Sequence, residues 1–361
     1  MDIHIDLIEK QIVIKENITT KGDINIKDTN EKNKVERNLI KPFDFFSINN
    51  IKITEKIKKN PYFFLQFDLF LHYNFIKIGE LSEKYLQHNI TKTSTNNKYI
   101  LFTYKKIKHI DLDNFLLHLP RPKLFVFHII DSFSKLLKSL LLLHEKKICF
   151  FNVSTKNIVF DKGFNPILRD FSTSLLLNNL DEAYLSQIIE KTEDYTLKPL
   201  ETHVLFYLIN NEEHTLSYSS VVSICDYFVE NNPILDLFSE QYREKYNQTC
   251  VEVLKKYINK SRSEIISDII KYSLTWDNYS FSILYLFFIG NFIKCFSLKE
   301  CFLSKFSILL NKNIHPDPLK RENMNTTQLE FQKLFHEFVD WDFADNLSVE
   351  KYKLYLKMIK K

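Results

Sequence analysis

The sequence predicts an α+β chain in which a small strand-rich N-terminal part with one helix, residues 1–104, precedes a larger helical part, residues 105–361. Three patterns carry this expectation. Apolar residues recur at alternate positions in the first hundred residues, as a strand with one buried face requires. From Leu124 the recurrence changes to the three-and-four spacing of an amphipathic helix. From Leu200 onwards the helical pattern dominates.

The elements follow in order. Ile3, Ile5 and Leu7, then Ile12 and Ile14, then Ile24 and Ile26 alternate as strands do. Phe46 to Lys59 reads as a helix with Ile48, Ile51, Ile53 and Ile57 on one side. Asn74 to Leu81 and Tyr99 to Tyr104 are further strands, separated by the polar run His88 to Asn97, which offers no core residue. The two parts join near Thr103 to Asp111. Ile130, Phe133, Leu137, Leu140, Leu141 and His144 line a long helix, whose C-terminal dipole His144 is expected to cap. Two short apolar segments, Ile148 to Val153 and Ile158 to Phe160, precede Asp161 to Pro166. That last run holds Asp, Gly, Asn and Pro, and so reads as a turn between strands. Val251 to Ile258, Ser263 to Tyr272 and Tyr279 to Phe296 are helical by spacing, and no internal repeat is visible.

Composition narrows the function classes. With 45% hydrophobic and 26% charged residues, the chain can bury a core and is not mainly disordered. A net charge of +4 over 361 residues is small. The lysine clusters at Lys56, Lys58 and Lys59, at Lys105, Lys106 and Lys108, and at Lys146 and Lys147 read as solvated faces, so no specific nucleic acid is expected as partner. Five cysteines without a C-x-x-C pair, Cys149 among apolar neighbours, point to a reducing compartment, with no disulfide framework or zinc site. Acidic residues interrupt Met1 to Gln11, so it does not read as a signal peptide. Phe281 to Ile289 is too short to span a bilayer and reads as a buried helix, so no membrane span is expected. The four glycines, Gly22, Gly79, Gly163 and Gly290, stand far apart. No glycine-rich phosphate loop can be built from them, which excludes P-loop and dinucleotide-binding folds.

The chemistry-bearing residues gather in one stretch. His144 to Phe160, followed by Ile167-Leu168-Arg169-Asp170-Phe171-Ser172, resembles the catalytic loop and magnesium motif of protein kinases, H-R-D-x-x-x-x-N followed by D-F-G. In that register Phe150, Phe151 and Asn152 fall on H-R-D, Asn157 on the metal-binding Asn, and Asp170-Phe171-Ser172 on D-F-G. Pro199-Leu200-Glu201 resembles A-P-E, Trp276 to Ser280 the start of the central buried helix, and Asp317 to Arg321 the late D-P-x-x-R. The resemblance covers the chain from about Leu124 to Leu329 and the N-terminal part only loosely. It implies a two-lobed protein-kinase-like fold, with a strand-rich N-lobe and a larger helical C-lobe that carries a long helical insertion, about 202–275. The Pro199-Leu200-Glu201 end with its insertion is similar to serine/threonine kinases of large nucleocytoplasmic DNA viruses, and the Ile/Asn/Lys-rich composition fits an AT-rich genome.

The same register marks losses. A neutral amide at Asn152 cannot accept a proton as the family's aspartate does, although it can still orient a hydroxyl. Phe150 and Phe151 replace groups that tie the loop to the activation segment, and Ser154 replaces a lysine that meets the transferred phosphate. Asp170 and Asn157 keep the residue types that hold Mg and, through it, ATP; as plain turn caps they would need no ligand. Lys41 is the phosphate-anchoring lysine by order, with Lys27 as the other choice, and Asn50 is the helix residue expected opposite it, Glu55 being off-register. Glu201, Asp277 and Arg321 keep the scaffold roles: an ion pair between Glu201 and Arg321, and an Asp277 that receives loop amides.

The resemblance therefore implies a pseudokinase acting as a binding or regulatory module in the cytoplasm, either a host cytoplasm or a virion. Its partner would be another protein or a partner kinase, and ATP with Mg its remaining ligand. Two alternatives stay open: a divergent active serine/threonine kinase, and a structural or virion-associated protein on the same scaffold.

Overall fold

The computed structural model describes residues 36–77, 98–106, 108–192, 194–338 and 341–359. The strands expected around Ile3, Ile12 and Ile24, the loop His88 to Asn97, Gly22, Gly79, Lys27 and the end of the strand expected to reach Leu81 lie outside them. The chain is α+β and divides into two compact units: residues up to 43 with 70–106, and 44–69 with 107–361.

The first unit is a three-stranded antiparallel sheet of β1 (Glu36–Pro42), β3 (Phe70–Lys77) and β4 (Lys98–Lys105), with β4 central. Lys41 lies opposite Ile100, and Asn38 opposite Thr103. The Thr103 hydroxyl donates to Asn38 Oδ1 at 2.9 Å, and the Arg37 guanidinium lies 4.4 Å from the Tyr104 ring centre. Phe70, Ile100 and Phe102 alternate into a buried layer, the period-two signature at work.

The second unit begins with α1 (Phe45–Ile57), which the sequence groups with the strands but which belongs to this larger unit. Asp44 caps it through the Ser47 amide at 2.8 Å. Its buried face is Ser47, Asn49, Asn50, Ile53, Thr54 and Ile57, whereas Ile48 and Ile51 are only partly covered. The apolar stripe expected there is thus only half correct, because buried side chains of this helix make hydrogen bonds and polar residues take places an apolar count ignores.

After β2 (Phe67–Asp68) the second unit continues with β5 (Ile110–Asp111), the short α2 (Leu112–Leu117) and α3 (Pro122–Glu145). The hairpin β7 (Ile158–Phe160) and β8 (Pro166–Arg169) follows, with the turn where the sequence predicts it. Asp161 accepts from the Gly163 and Asn165 amides at 2.8 and 2.9 Å and so closes that turn. The strands β2, β8, β7 and β5 form one sheet, and β6 (Ile148–Cys149) pairs with β9 (Leu175–Leu176).

The remaining helices are α4 (Glu182–Lys191), α5 (Leu200–Asn210), α6 (Tyr218–Glu230), α7 (Glu240–Leu254), α8 (Arg262–Ile270), α9 (Trp276–Phe296), α10 (Phe302–Asn313), α11 (Met324–Glu337), α12 (Asp342–Asp345) and α13 (Val349–Ile359). Segment 202–275 holds most of α5 and all of α6 to α8. The helix expected from Val251 to Ile258 starts earlier, at Glu240, and ends at Leu254 in a tighter turn. Its first half is nearly all polar, and the helix presents only a narrow stripe, Tyr246, Cys250 and Leu254, to the core.

Helix α9 is the axis of this unit. Ser273–Phe296 is the one described stretch long and apolar enough to cross a membrane, and 67% of its apolar window is buried within the protein. Its buried polar groups are matched: Asn278 Nδ2 donates to Thr327 Oγ1 at 3.0 Å, Asn313 Nδ2 to Ser282 Oγ at 2.9 Å, and the Tyr285 hydroxyl meets Ser132 Oγ at 2.8 Å. Unmatched, each would cost about 1–3 kcal/mol on burial.

Candidate functional site

The site is built around a carboxylate at the start of α9. Asp277 is fully buried. It accepts from the Phe150 amide at 2.7 Å, the Phe151 amide at 2.8 Å and His144 Nε2 at 3.0 Å. A carboxylate can only accept, so Nε2 carries the proton. Burial alone pushes the Asp277 pKa up, but the His144 hydrogen bond and charge, with the two amides, outweigh it and hold the carboxyl below its usual range. His144 thus does more than the dipole capping expected of it: the last turn of α3 brings its ring to the start of α9.

Asp277 fixes an irregular loop. Phe151 has a left-handed backbone, φ 57°, unusual for an aromatic residue and a source of strain of about 1–3 kcal/mol. Two contacts hold it: the Asp277 carboxylate on its amide, and Lys198 Nζ donating to its carbonyl. Lys198 is buried, and its ammonium lies 4.3 Å from the Phe151 ring centre. Burial lowers the Lys198 pKa to about 8, with Asp277 and Cys149 acting in the opposite sense. The sequence passes over Lys198; its one signal there is a lysine directly before Pro199-Leu200-Glu201.

The loop brings together Asn152, Asn157 and Asp170. Asn152 Nδ2 donates to the Asp170 carbonyl at 3.4 Å, and Asn157 Nδ2 to the Asn152 carbonyl at 3.1 Å. The Arg169 amide donates to the Asn157 carbonyl at 3.0 Å, so β8 delivers Asp170 beside the loop. Asp170 is exposed and left-handed, φ 61°, a conformation that aspartate tolerates better than most residues. Ser172 turns back on it, the hydroxyl donating to Asp170 Oδ1 at 2.6 Å and the amide at 3.3 Å. Phe171 points inward and packs edge-on against Phe67 and Phe150, with ring centres 5.8 and 5.3 Å apart. Phe150 is therefore a core residue.

Glu201 and Arg321 pair deep in the same unit. Arg321 Nη1 donates to Glu201 Oε1 at 2.5 Å and Nη2 to Oε2 at 2.8 Å, the bidentate arrangement of two planar forks. Trp276 Nε1 adds a third donor to Glu201 at 3.0 Å. The guanidinium also donates to the carbonyls of His315 and Pro316 and lies 4.9 Å from the Tyr279 ring centre.

Lys41 lies in the other compact unit, on β1. Asn50 is buried and its side chain accepts from Thr54 Oγ1 within the helix, at 3.5 Å. Its neighbour Asn49 reaches the Ser172 and Ser174 carbonyls. Glu55 is paired with Lys58 on the surface.

Among the described residues no group of three or more His, Cys, Asp or Glu side chains is arranged to hold a metal. Magnesium takes six oxygens, commonly from one or two protein carboxylates with phosphate and water supplying the rest. Asp170 and Asn157 offer one carboxylate and one amide oxygen, and Ser172 already engages the carboxylate. The pair fits magnesium only with phosphate oxygens completing the shell. No protein-family model matches this chain, and no curated protein matches it.

Proposed function

We propose that the chain is a degenerate protein-kinase-like module that binds rather than phosphorylates, resembling serine/threonine kinases of large nucleocytoplasmic DNA viruses. One observation carries the reading: the Asp277 carboxylate holds the Phe150 and Phe151 amides, and the next residue of that anchored loop is Asn152 instead of a carboxylate. The Glu201–Arg321 pair supports it from the scaffold side. Frame residues are retained while the proton acceptor is missing, a combination expected where selection keeps a shape and not a rate.

On this reading Asp170 and Asn157 hold magnesium together with the phosphates of ATP, which would supply the remaining oxygens. On the same reading Asn152 supplies no base, and Ser154 and Phe151 add no cation toward a phosphate. Its output is then a binding event with another protein, a partner kinase among them, in the cytoplasm or in a virion.

The test is a titration of the native chain with ATP and magnesium, read as thermal stabilisation. The expected result is a concentration-dependent rise in Tm that Asp170→Ala removes. Stabilisation that persists in Asp170→Ala, or none at millimolar ATP, would leave a structural protein on the same scaffold as the better reading.

A further inference from the structure

Helix α1 meets residues 172–176 through neutral groups, the amide of Asn49 foremost. Asn49 is buried, and its Nδ2 donates to the carbonyls of Ser172 at 3.0 Å and Ser174 at 2.8 Å. Its Oδ1 accepts from the Tyr184 hydroxyl at 2.5 Å. That hydroxyl lies 3.0 Å from the Ser174 carbonyl and accepts from the Leu176 amide at 3.3 Å. Tyr184 is itself fixed at the start of α4, where Asp181 caps its amide at 2.8 Å and Phe45 of α1 packs edge-on to its ring at 5.2 Å. From Ser174 the network reaches the anchored loop, the Ser174 hydroxyl donating to the Phe150 carbonyl at 2.8 Å.

Both N–H donors of the Asn49 amide, and its oxygen, are therefore partnered inside the protein. We infer that Asn49 and Tyr184 form a constitutive latch that holds α1 on residues 172–176, so that the fold and not a bound nucleotide sets the conformation of the Asp170 segment. A contact completed by a ligand closes only when the ligand is present. A latch closed by internal hydrogen bonds is shut already, because opening it strands buried polar groups without partners. A ligand moves a two-state equilibrium only by its differential affinity for the two states. With the closed state this strongly preferred, nucleotide has little left to shift. That last consequence rests on the reading under which ATP reaches Asp170; the latch itself does not.

Hydrogen exchange on the full chain, with and without ATP and magnesium, tests it. Asn49→Ala is expected to speed exchange of the α1 and 172–176 amides at least tenfold while leaving α9 unchanged. Tyr184→Phe, which removes one oxygen and keeps the ring, should do the same to a smaller degree and keeps the test available if Asn49→Ala fails to fold. Glu55→Ala, on the exposed side of the same helix, should have no effect. In the native chain ATP with magnesium should alter α1 exchange by less than twofold. Three results would overturn the latch: unchanged α1 exchange in both latch variants, acceleration spread equally over α1 and α9, or a tenfold slowing of α1 on nucleotide addition. If nucleotide fails to raise the native Tm, the binding reading falls, and the variants still decide the latch.

Discussion

Glu201 and Arg321, 120 residues apart, meet as a bidentate pair at 2.5 and 2.8 Å with both side chains almost completely buried. A pair in that setting is fragile to the loss of one member, because the survivor keeps its charge in a place without water. Arg321→Met is expected to cost about 3–5 kcal/mol in denaturant unfolding. The double variant Glu201→Gln with Arg321→Met should lose clearly less than the sum of the two single changes, since it leaves no unpaired charge. Additive losses would mean that the two residues act independently.

Asp277 ties stability to acid. Its pKa is held below the usual 3.8, so its contribution is complete above that value and is lost as the pH falls through the lower, folded one. Asp277→Asn should cost about 3 kcal/mol near neutral pH, because an amide sets a donor against the donors of Phe150 or His144. The gap between native and variant should narrow as pH drops from about 5 to about 2, measured as urea midpoints. A gap independent of pH would mean that the carboxylate charge is not what anchors the loop.

Lys198 gives the opposite pH signature. Its pKa is lowered to about 8 against the usual 10.5, so on raising the pH the folded chain releases this proton before the unfolded chain does. The stability of the native chain relative to Lys198→Met should then rise between about pH 8 and pH 10. Only the difference between the two proteins is informative, because buried thiols such as Cys149 titrate with the reverse sign over the same range. A flat difference would mean that Lys198 is not desolvated as its burial implies.

Much of this was legible in the residues. Glu201, Asp277 and Arg321 were legible through the resemblance of Pro199-Leu200-Glu201, Trp276 to Ser280 and Asp317 to Arg321 to kinase motifs, which implies an ion pair between Glu201 and Arg321 and loop amides on Asp277. The turn at Asp161 to Pro166 was legible because its residues have few other uses. The half-polar face of α1 was not. Asn49 and Asn50 are chemically identical neighbours about 100° apart around the helix, and apolar spacing cannot tell which one turns toward Ser172. Lys198 was hidden for a related reason: lysine is so commonly solvated that only the tertiary fold reveals a buried one. His144 was visible as a helix end but not as a donor to a residue 133 positions away.

On the proposed reading, Asn152→Asp probes what surrounds the position of the base. The substitution places a carboxylate in a loop whose backbone is already fixed by Asp277. General-base participation contributes about 10²–10⁴-fold in rate, so the expected outcome is slow but measurable phosphate transfer by the variant. Silence of the variant, with nucleotide binding intact, would point to the neighbouring losses at Phe151 and Ser154 as sufficient by themselves.

On the proposed reading this scaffold binds without transferring phosphate, and transfer from labelled ATP to a generic protein substrate tests it most directly, with Asp170→Ala as the reference. The native chain is expected to give no more label than Asp170→Ala at any magnesium concentration. Transfer by the native chain that disappears in Asp170→Ala would overturn that reading and make the protein a divergent active kinase.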